Sequence, residues 1–79
     1  MKAEKPEIIV MAKRIIETGV IYHLCEALGY SIDDAIVKWH SSNTYRMFCD
    51  DRYGIAREGD AAMVERLGTE WGIDIFNNG

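Results

Sequence analysis

Apolar residues recur at helical spacing along most of this chain, and the clearest run follows Ser31. One face of the helix predicted there has the i, i+3, i+4, i+7 pattern of a buried stripe, formed by Ile32, Ala35, Ile36 and Trp39. Ser31 is a favourable N-cap, and Asp34 stands where the acid of a capping box would be. The polar run Ser41-Ser42-Asn43 interrupts the helix, because such side chains compete for backbone hydrogen bonds.

The first predicted helix has two apolar faces rather than one. It starts near Pro6, a residue suited to the first helical position, and runs to Leu28. The first face comprises Ile8, Ile9, Ala12, Ile15 and Ile16, and the second comprises Val20, Ile21, Leu24, Cys25 and Leu28. At about 100° per residue, the two faces point in directions that differ by very roughly 150°.

Gly19 lies between these two faces. We expect the helix to continue through it, because neither a proline nor a turn cluster accompanies Thr18 and Gly19. A continuous helix predicts that Gly19→Ala stabilises the protein by about 0.5–1 kcal/mol. It also predicts that part of this helix meets another chain. The alternative is a break at Gly19, which would give five helices rather than four.

The rest of the chain predicts two further helices and a tail. Thr44 caps a short helix over residues 45–53, and Asp60 caps a fourth helix after a loop at residues 56–59. The buried face of the fourth helix comprises Met63, Val64, Leu67 and Trp71. The segment Ile73-Asp74-Ile75-Phe76 alternates apolar and polar residues, which predicts a short strand or an extended tail over a hydrophobic groove.

Three glycines, Gly29, Gly54 and Gly72, each follow a predicted helical run and precede an apolar residue. Glycine just past a helix end adopts the left-handed conformation, and the next apolar residue folds back onto the last turn. Those residues are Tyr30, Ile55 and Ile73. Together these patterns predict an all-α fold. We expect a compact bundle of four short helices, or five with a break at Gly19, with an extended C-terminal tail, in a single helical domain over residues 1–79.

Composition narrows the classes of partner. The hydrophobic fraction is 48%, which is high for 79 residues and predicts apolar surface left over for a partner. The net charge of −4 disfavours binding to phosphate backbones and anionic lipid. Cys25 and Cys49 are too few for a disulfide scaffold, and no apolar leader segment is apparent, so we expect reduced thiols and a cytoplasmic location.

The residues that could carry chemistry are few. His23 and Cys25 point about 200° apart on a helix, so they cannot share a metal ion. Zinc-type spacings are absent from the sequence, and we expect neither a metal nor a cofactor. A minor enzyme or ligand binder around His40, Cys49 and Asp50 is a third hypothesis. Neighbouring acids oppose a nucleophilic thiolate at Cys49, so a catalytic pair with His40 is disfavoured. We expect no enzyme activity, mainly because so small a helical domain rarely encloses a pocket.

A helix-turn-helix outline is the main alternative function. Residues 31–48 read as a capped helix, a polar break and a second helix whose first residues would read DNA bases. Its candidate DNA contacts are Asn43, Thr44, Tyr45 and Arg46. Asp50 and Asp51 lie on the same predicted helix and basic residues are scattered, so nucleic-acid binding is disfavoured.

Residues Leu24 to Leu67, about half of the chain, resemble a group of very small, uncharacterised bacterial domains encoded near toxin-like proteins. The resemblance is carried by Gly29-Tyr30-Ser31 and by the acid-capped helix with Ala35. It is also carried by Tyr45 followed by Asp50, Tyr53 and a later Gly59. It implies a small accessory or regulatory protein that acts by binding another protein. It implies no catalytic residues.

Taken together, the patterns predict a non-catalytic protein–protein interaction or regulatory domain. It would self-associate as a homo-oligomer or bind a cognate protein partner, with no membrane contact. The predicted contact elements are the first helix and the C-terminal segment. The candidate interface residues are Ile8, Ile15, Trp71, Ile73, Ile75 and Phe76.

Overall fold

A computed structural model describes residues 6–76, with side chains from Val10 onward. It is all-α, with four α-helices in the order α1 (Pro6–Leu28), α2 (Ile32–His40), α3 (Asn43–Cys49) and α4 (Asp60–Trp71). A short 3₁₀ helix, Ile55–Glu58, precedes α4. No helix in this described part is both long enough and apolar enough to cross a lipid bilayer.

The core forms where α2 and α4 pack against α1, and α3 packs against α2 and α4. Its buried apolar residues are Val20, Leu24, Ala35, Trp39, Phe48, Ile55, Met63, Val64, Leu67 and Ile75. The N-terminal half of α1 contributes less. Lys13 there pairs with Asp51 at 2.8 Å and lies 5.7 Å from the ring centroid of Phe48. Val10, Met11 and Ile15 of this half are exposed.

Helix α1 is continuous through Gly19, as predicted, so the bundle has four α-helices rather than five. The glycine has a role that its sequence context does not reveal. A Cβ placed on Gly19 would lie 2.0 Å from Oδ2 of Asp60, at the start of α4. The missing side chain thus lets α4 begin directly against the α1 backbone, and the second apolar face of α1 becomes the core face.

Helix α2 begins as predicted, but its buried face is narrower. Ser31 Oγ accepts a hydrogen bond from the Asp34 N–H at 3.1 Å. Ala35 and Trp39 are fully buried, whereas Ile32 is 65% exposed and Ile36 lies at the surface. The prediction of one buried stripe was wrong for the two isoleucines, because α2 presents only one small and one large residue to α1.

The predicted bounds of α3 were wrong at both ends. Ser42, not Thr44, is the N-cap, and its hydroxyl accepts from the Tyr45 N–H at 3.0 Å. The helix ends at Cys49, and residues 51–53 form a turn. Gly54 has the predicted positive φ of 66°, but it precedes the 3₁₀ helix instead of ending α3.

The C-terminal segment folds back onto α4, and the predicted strand does not form in the part described. Gly72 ends α4 with φ 73°, as predicted. The Ile73 N–H then donates to the Gly68 carbonyl at 2.9 Å. Ile75 is buried in the core. This corrects its assignment to an interface, because its side chain is already packed within its own chain.

Candidate protein-docking surface

The outward side of α1 carries a row of side chains that nothing in the described chain covers. Met11, Ile15 and Tyr22 are 61%, 70% and 61% exposed. Thr18 lies between them and is also exposed, and Cys25 continues the row half-buried. At about 100° per residue these five positions fall within a narrow stripe of the helix. We call this row the α1 seam.

Helix α2 borders the seam and makes one wall of an open groove of about 660 Å³. The apolar side chains that line the groove are Ile21, Tyr22, Cys25, Ile32, Ile36 and Trp39. Trp39 is fully buried, so it forms the floor and takes no part in the rim. We use the name α1–α2 face for the α1 seam together with Ile32 and Ile36. Large contiguous apolar surfaces of this kind are uncommon on monomeric proteins and mark interaction sites.

Polar groups sit at one end of the groove. Glu17 Oε2 accepts a hydrogen bond from the Trp39 indole N–H at 2.9 Å and lies 3.6 Å from His40 Nε2. Arg14 lines the same end and is exposed. Among the side chains described from Val10 onward, none forms an ion pair with Arg14. The groove therefore offers an apolar length with a carboxylate and a guanidinium at its end.

The candidate interface residues do not all share this surface. Ile15 lies at the centre of the α1 seam, while Ile8 lies on α1 at a position whose side chain is outside the described residues. Phe76 is partly exposed and borders the seam through His23, at 5.3 Å between ring centroids.

Two other predicted interface residues, Trp71 and Ile73, do not line the groove. Trp71 is half-buried, and the Lys38 ammonium lies 5.4 Å from its ring centroid. Ile73 is exposed beside it, at the end of α4. The C-terminal segment is thus divided between the core, the edge of the seam and a separate exposed position.

The candidate DNA contacts are arranged around the carboxylate of Glu70. Glu70 of α4 accepts hydrogen bonds from the Asn43 N–H at 2.7 Å, the Thr44 N–H at 2.9 Å and the Thr44 hydroxyl at 2.8 Å. Thr44 is buried, and Tyr45 packs edge-on against Trp39. Of the four candidate DNA contacts, only Asn43 and Arg46 have exposed side chains, and the Arg46 guanidinium donates a hydrogen bond to the Asn43 side-chain oxygen.

The contacts with Asn43 and Thr44 lower the pKa of the Glu70 carboxyl. Burial opposes the charged form, but the hydrogen bonds from Asn43 and Thr44 outweigh it and hold the pKa of the Glu70 carboxyl below its ordinary value. The group is therefore a carboxylate at neutral pH. A negative charge at the N-terminus of α3 stabilises the helix dipole, but it opposes the approach of a DNA phosphate at that end.

The structure places His40 and Cys49 on either side of Tyr45. The ring centroids of His40 and Tyr45 lie 4.5 Å apart. A side-chain hydrogen bond with Cys49 and, as a smaller cause, burial raise the pKa of the Tyr45 phenol to about 12. Asp50 is held elsewhere, in an ion pair with Arg52 at 2.6 Å that keeps the pKa of its carboxyl low. In the described part of the chain, no three acidic, histidine or cysteine side chains converge as metal ligands.

Sequence reasoning missed Tyr22, Ile32 and Ile36 as surface residues. The signal for the α1 seam was present as the spacing of positions 11, 15, 18, 22 and 25, but the polar Thr18 at its centre hid it. For the two α2 residues no such signal existed, because their spacing fits a buried stripe equally well. No family model matches this chain, and no curated protein or solved structure matches it either, so the resemblance to small bacterial domains stays a prediction.

Proposed function

We propose that this chain is a non-catalytic protein-interaction domain that packs its α1–α2 face against a helix of another protein subunit. The observation that carries the proposal is the exposure of Met11, Ile15, Tyr22 and Ile32 along one continuous surface, beside a core that is complete without them. An apolar ridge next to a groove is the shape that accepts an amphipathic helix, with anchors at i, i+3 or i+4, and i+7.

The internal use of the polar groups also supports a binding role. Glu17 accepts a hydrogen bond from the Trp39 indole N–H, and Glu70 accepts hydrogen bonds at the start of α3. Both carboxylates therefore stabilise the fold of this chain. Asp50 is neutralised by Arg52. The helix-turn-helix alternative receives less support, because the Thr44 hydroxyl already donates a hydrogen bond to Glu70. Of the four candidate DNA contacts, only Asn43 and Arg46 are exposed.

The test compares capture of proteins from cells of the native host, the untagged chain included, by wild type and two variants. Tyr22→Arg places a charge on the α1–α2 face. Val37→Arg is the matched control, because Val37 is 62% exposed on α2 but does not line the groove. The proposal expects a specific protein to be retained by wild type and Val37→Arg and lost by Tyr22→Arg. Equal retention by all three would contradict it, provided circular dichroism shows that each variant is folded.

A further inference from the structure

We infer that the helix occupying the α1–α2 face is α1 of a second copy, in an antiparallel, two-fold symmetric pair. This inference rests on the proposed function and names its partner. The first support is spacing. Steps of four, three, four and three separate Met11, Ile15, Thr18, Tyr22 and Cys25. That is the a/d repeat with which two helices pack side by side, so the exposed stripe is specifically suited to another helix.

The second support is that the two halves of α1 are complementary. The N-terminal half carries an exposed ridge, Val10, Met11 and Ile15. The C-terminal half, with α2, carries the groove. An isologous contact requires that a patch fits its own symmetry mate. Antiparallel pairing satisfies this requirement, because the ridge of each copy then lies on the groove of the other.

The register follows from pairing a positions with d positions. Ile15 lies opposite Thr18 of the partner subunit, and Met11 lies opposite Tyr22 of the partner subunit. In this register Val10 of the partner subunit falls at the level of His23 on the groove side of α1. There it fills the space beside Ile36, since α2 runs back along α1 after the short connection at residues 29–31.

The third support is charge. Arg14 and Glu17 lie on the same side of the seam, the side that faces α2. A two-fold antiparallel pair keeps like sides together, so Arg14 of the partner subunit comes to the Glu17 end of the groove. In a parallel pair, Arg14 would instead lie beside Gly19 of the partner subunit, which offers no charge. The Arg14 guanidinium, which has no ion-pair partner among the described side chains, therefore favours the antiparallel arrangement.

The length of the contact sets the strength to expect. Positions 11 to 25 span about 21 Å of helix at 1.5 Å per residue. A contact of this length buries less area than the roughly 1,600 Å² of a standard interface, so a micromolar dissociation constant is expected. Sedimentation or light scattering over a concentration series should show the mass rising from 9.0 kDa toward twice that value.

The variants locate the contact. Ile15→Arg should remain a monomer at every concentration, whereas Val37→Arg should associate as wild type does. Both side chains are exposed, so both variants should keep the wild-type circular dichroism. A wild type that stays a monomer up to millimolar protein would overturn the inference. The proposed function would still stand if Tyr22→Arg lost a different captured protein. Equal weakening of self-association by Ile15→Arg and Val37→Arg would also overturn the inference of an α1 pair.

Cysteine cross-linking tests the orientation. In a Cys25→Ala, Cys49→Ala background, chains with Met11→Cys are mixed with chains carrying Tyr22→Cys and a different tag. Antiparallel pairing expects a disulfide only between the two kinds of chain, because like positions lie about 16 Å apart along the helices in the stated register. Disulfides within each kind of chain, and none between them, would show a parallel pair and overturn the inference.

Discussion

The carboxylate of Asp60 lies so close to Gly19 that a Cβ on this glycine would fall 2.0 Å from Oδ2, 2.7 Å from Cγ and 2.8 Å from Cβ of the acid. Asp60 is the first residue of α4, and its Oδ2 also lies 3.7 Å from Nε2 of His23. This approach decides which face of α1 enters the core. It consequently decides which face is left for a partner.

Gly19→Ala should therefore destabilise the protein by about 1–3 kcal/mol, the usual cost of inserting a methyl group into a packed contact. A continuous helix alone would predict the opposite sign. Urea unfolding provides the measurement, with Thr18→Ala as control: Thr18 is exposed, and its removal should be neutral or stabilising.

A double-mutant cycle identifies the cause of that loss. All three close atoms belong to the Asp60 side chain, so in an Asp60→Gly background the change Gly19→Ala should become neutral or stabilising by about 0.5–1 kcal/mol. The same cost in both backgrounds would show that Asp60 is not the obstacle.

The helix pattern was largely predictable because its determinants are local. The Ser31 cap and the left-handed Gly29 and Gly72 depend on residues within one turn, and all three were correctly placed. The start of α3 was not predictable. Ser42 and Thr44 are both good caps by residue type, and the choice between them depends on Glu70, 26 residues away from Thr44.

Gly68 and Gly72 should tolerate substitution differently, although both lie at the end of α4. A Cβ on Gly68 would lie 2.6 Å from the carbonyl oxygen of Ile73, a backbone atom that cannot swing aside. Gly68→Ala should cost about 1–3 kcal/mol. Gly72 has φ 73° and open space around it, so Gly72→Ala should cost about 1 kcal/mol from conformation alone.

Asparagine separates the two mechanisms, because it tolerates the left-handed conformation but is larger than alanine. Gly72→Asn should recover most of the stability lost in Gly72→Ala, while Gly68→Asn should be worse than Gly68→Ala. Thermal melting of the four variants measures this, and the same ranking at both sites would disprove the distinction.

Tyr45 should ionise only at strongly alkaline pH. A side-chain hydrogen bond with Cys49, together with burial, raises the pKa of the Tyr45 phenol to about 12 from 10.0. A raised pKa stabilises the fold below pH 10, and this contribution is lost as the pH rises from about 10 to about 12. Phenolate absorbance during alkaline titration should show one late step. Cys49→Ala should move it earlier, and Cys25→Ala should not.

The candidate surface was harder to predict than the helices, for a physical reason. Almost every turn of α1 carries apolar residues, so one apolar stripe faces the core and another, the α1 seam, faces outward. The periodicity of the sequence does not say which of the two stripes is buried. Packing of α4 against Gly19 makes that choice. Ile32 and Ile36 illustrate the same limit, because a helix that buries only Ala35 and Trp39 has the sequence pattern of one that buries all four.

We also expect that the protein does not select a DNA sequence. The carboxylate of Glu70 occupies the start of α3, where a reader helix would meet bases and phosphates. Selection from a random DNA pool measures this, with Arg46→Ala as the paired variant because Arg46 is the exposed cation of α3. Enrichment of one motif that disappears in Arg46→Ala would instead favour the helix-turn-helix function.

Acid should weaken the fold partly through Glu70. Burial raises the pKa of this carboxyl, but the three hydrogen bonds from Asn43 and Thr44 lower it by more, so it lies below the ordinary 4.5. A lowered pKa in the folded state means that the unfolded chain takes up the proton first as the pH falls. The contribution of Glu70 is therefore complete well above pH 4.5, and it is lost as the pH falls below 4.5 through the lower folded value.

Glu70→Gln removes this titration while keeping a side chain of similar shape. At pH 7 it should cost about 0.5–2 kcal/mol, because the amide oxygen accepts the capping hydrogen bonds less strongly than a carboxylate does. Its free energy of unfolding should then fall less steeply than that of wild type between pH 5 and pH 3. Glu65→Gln is the matched control, since Glu65 is exposed five residues earlier on α4 and its side chain does not bond to the start of α3 in the described part of the chain. Urea unfolding at a series of pH values decides the matter: parallel curves for wild type and Glu70→Gln would mean that the α3 cap does not depend on the charge of Glu70.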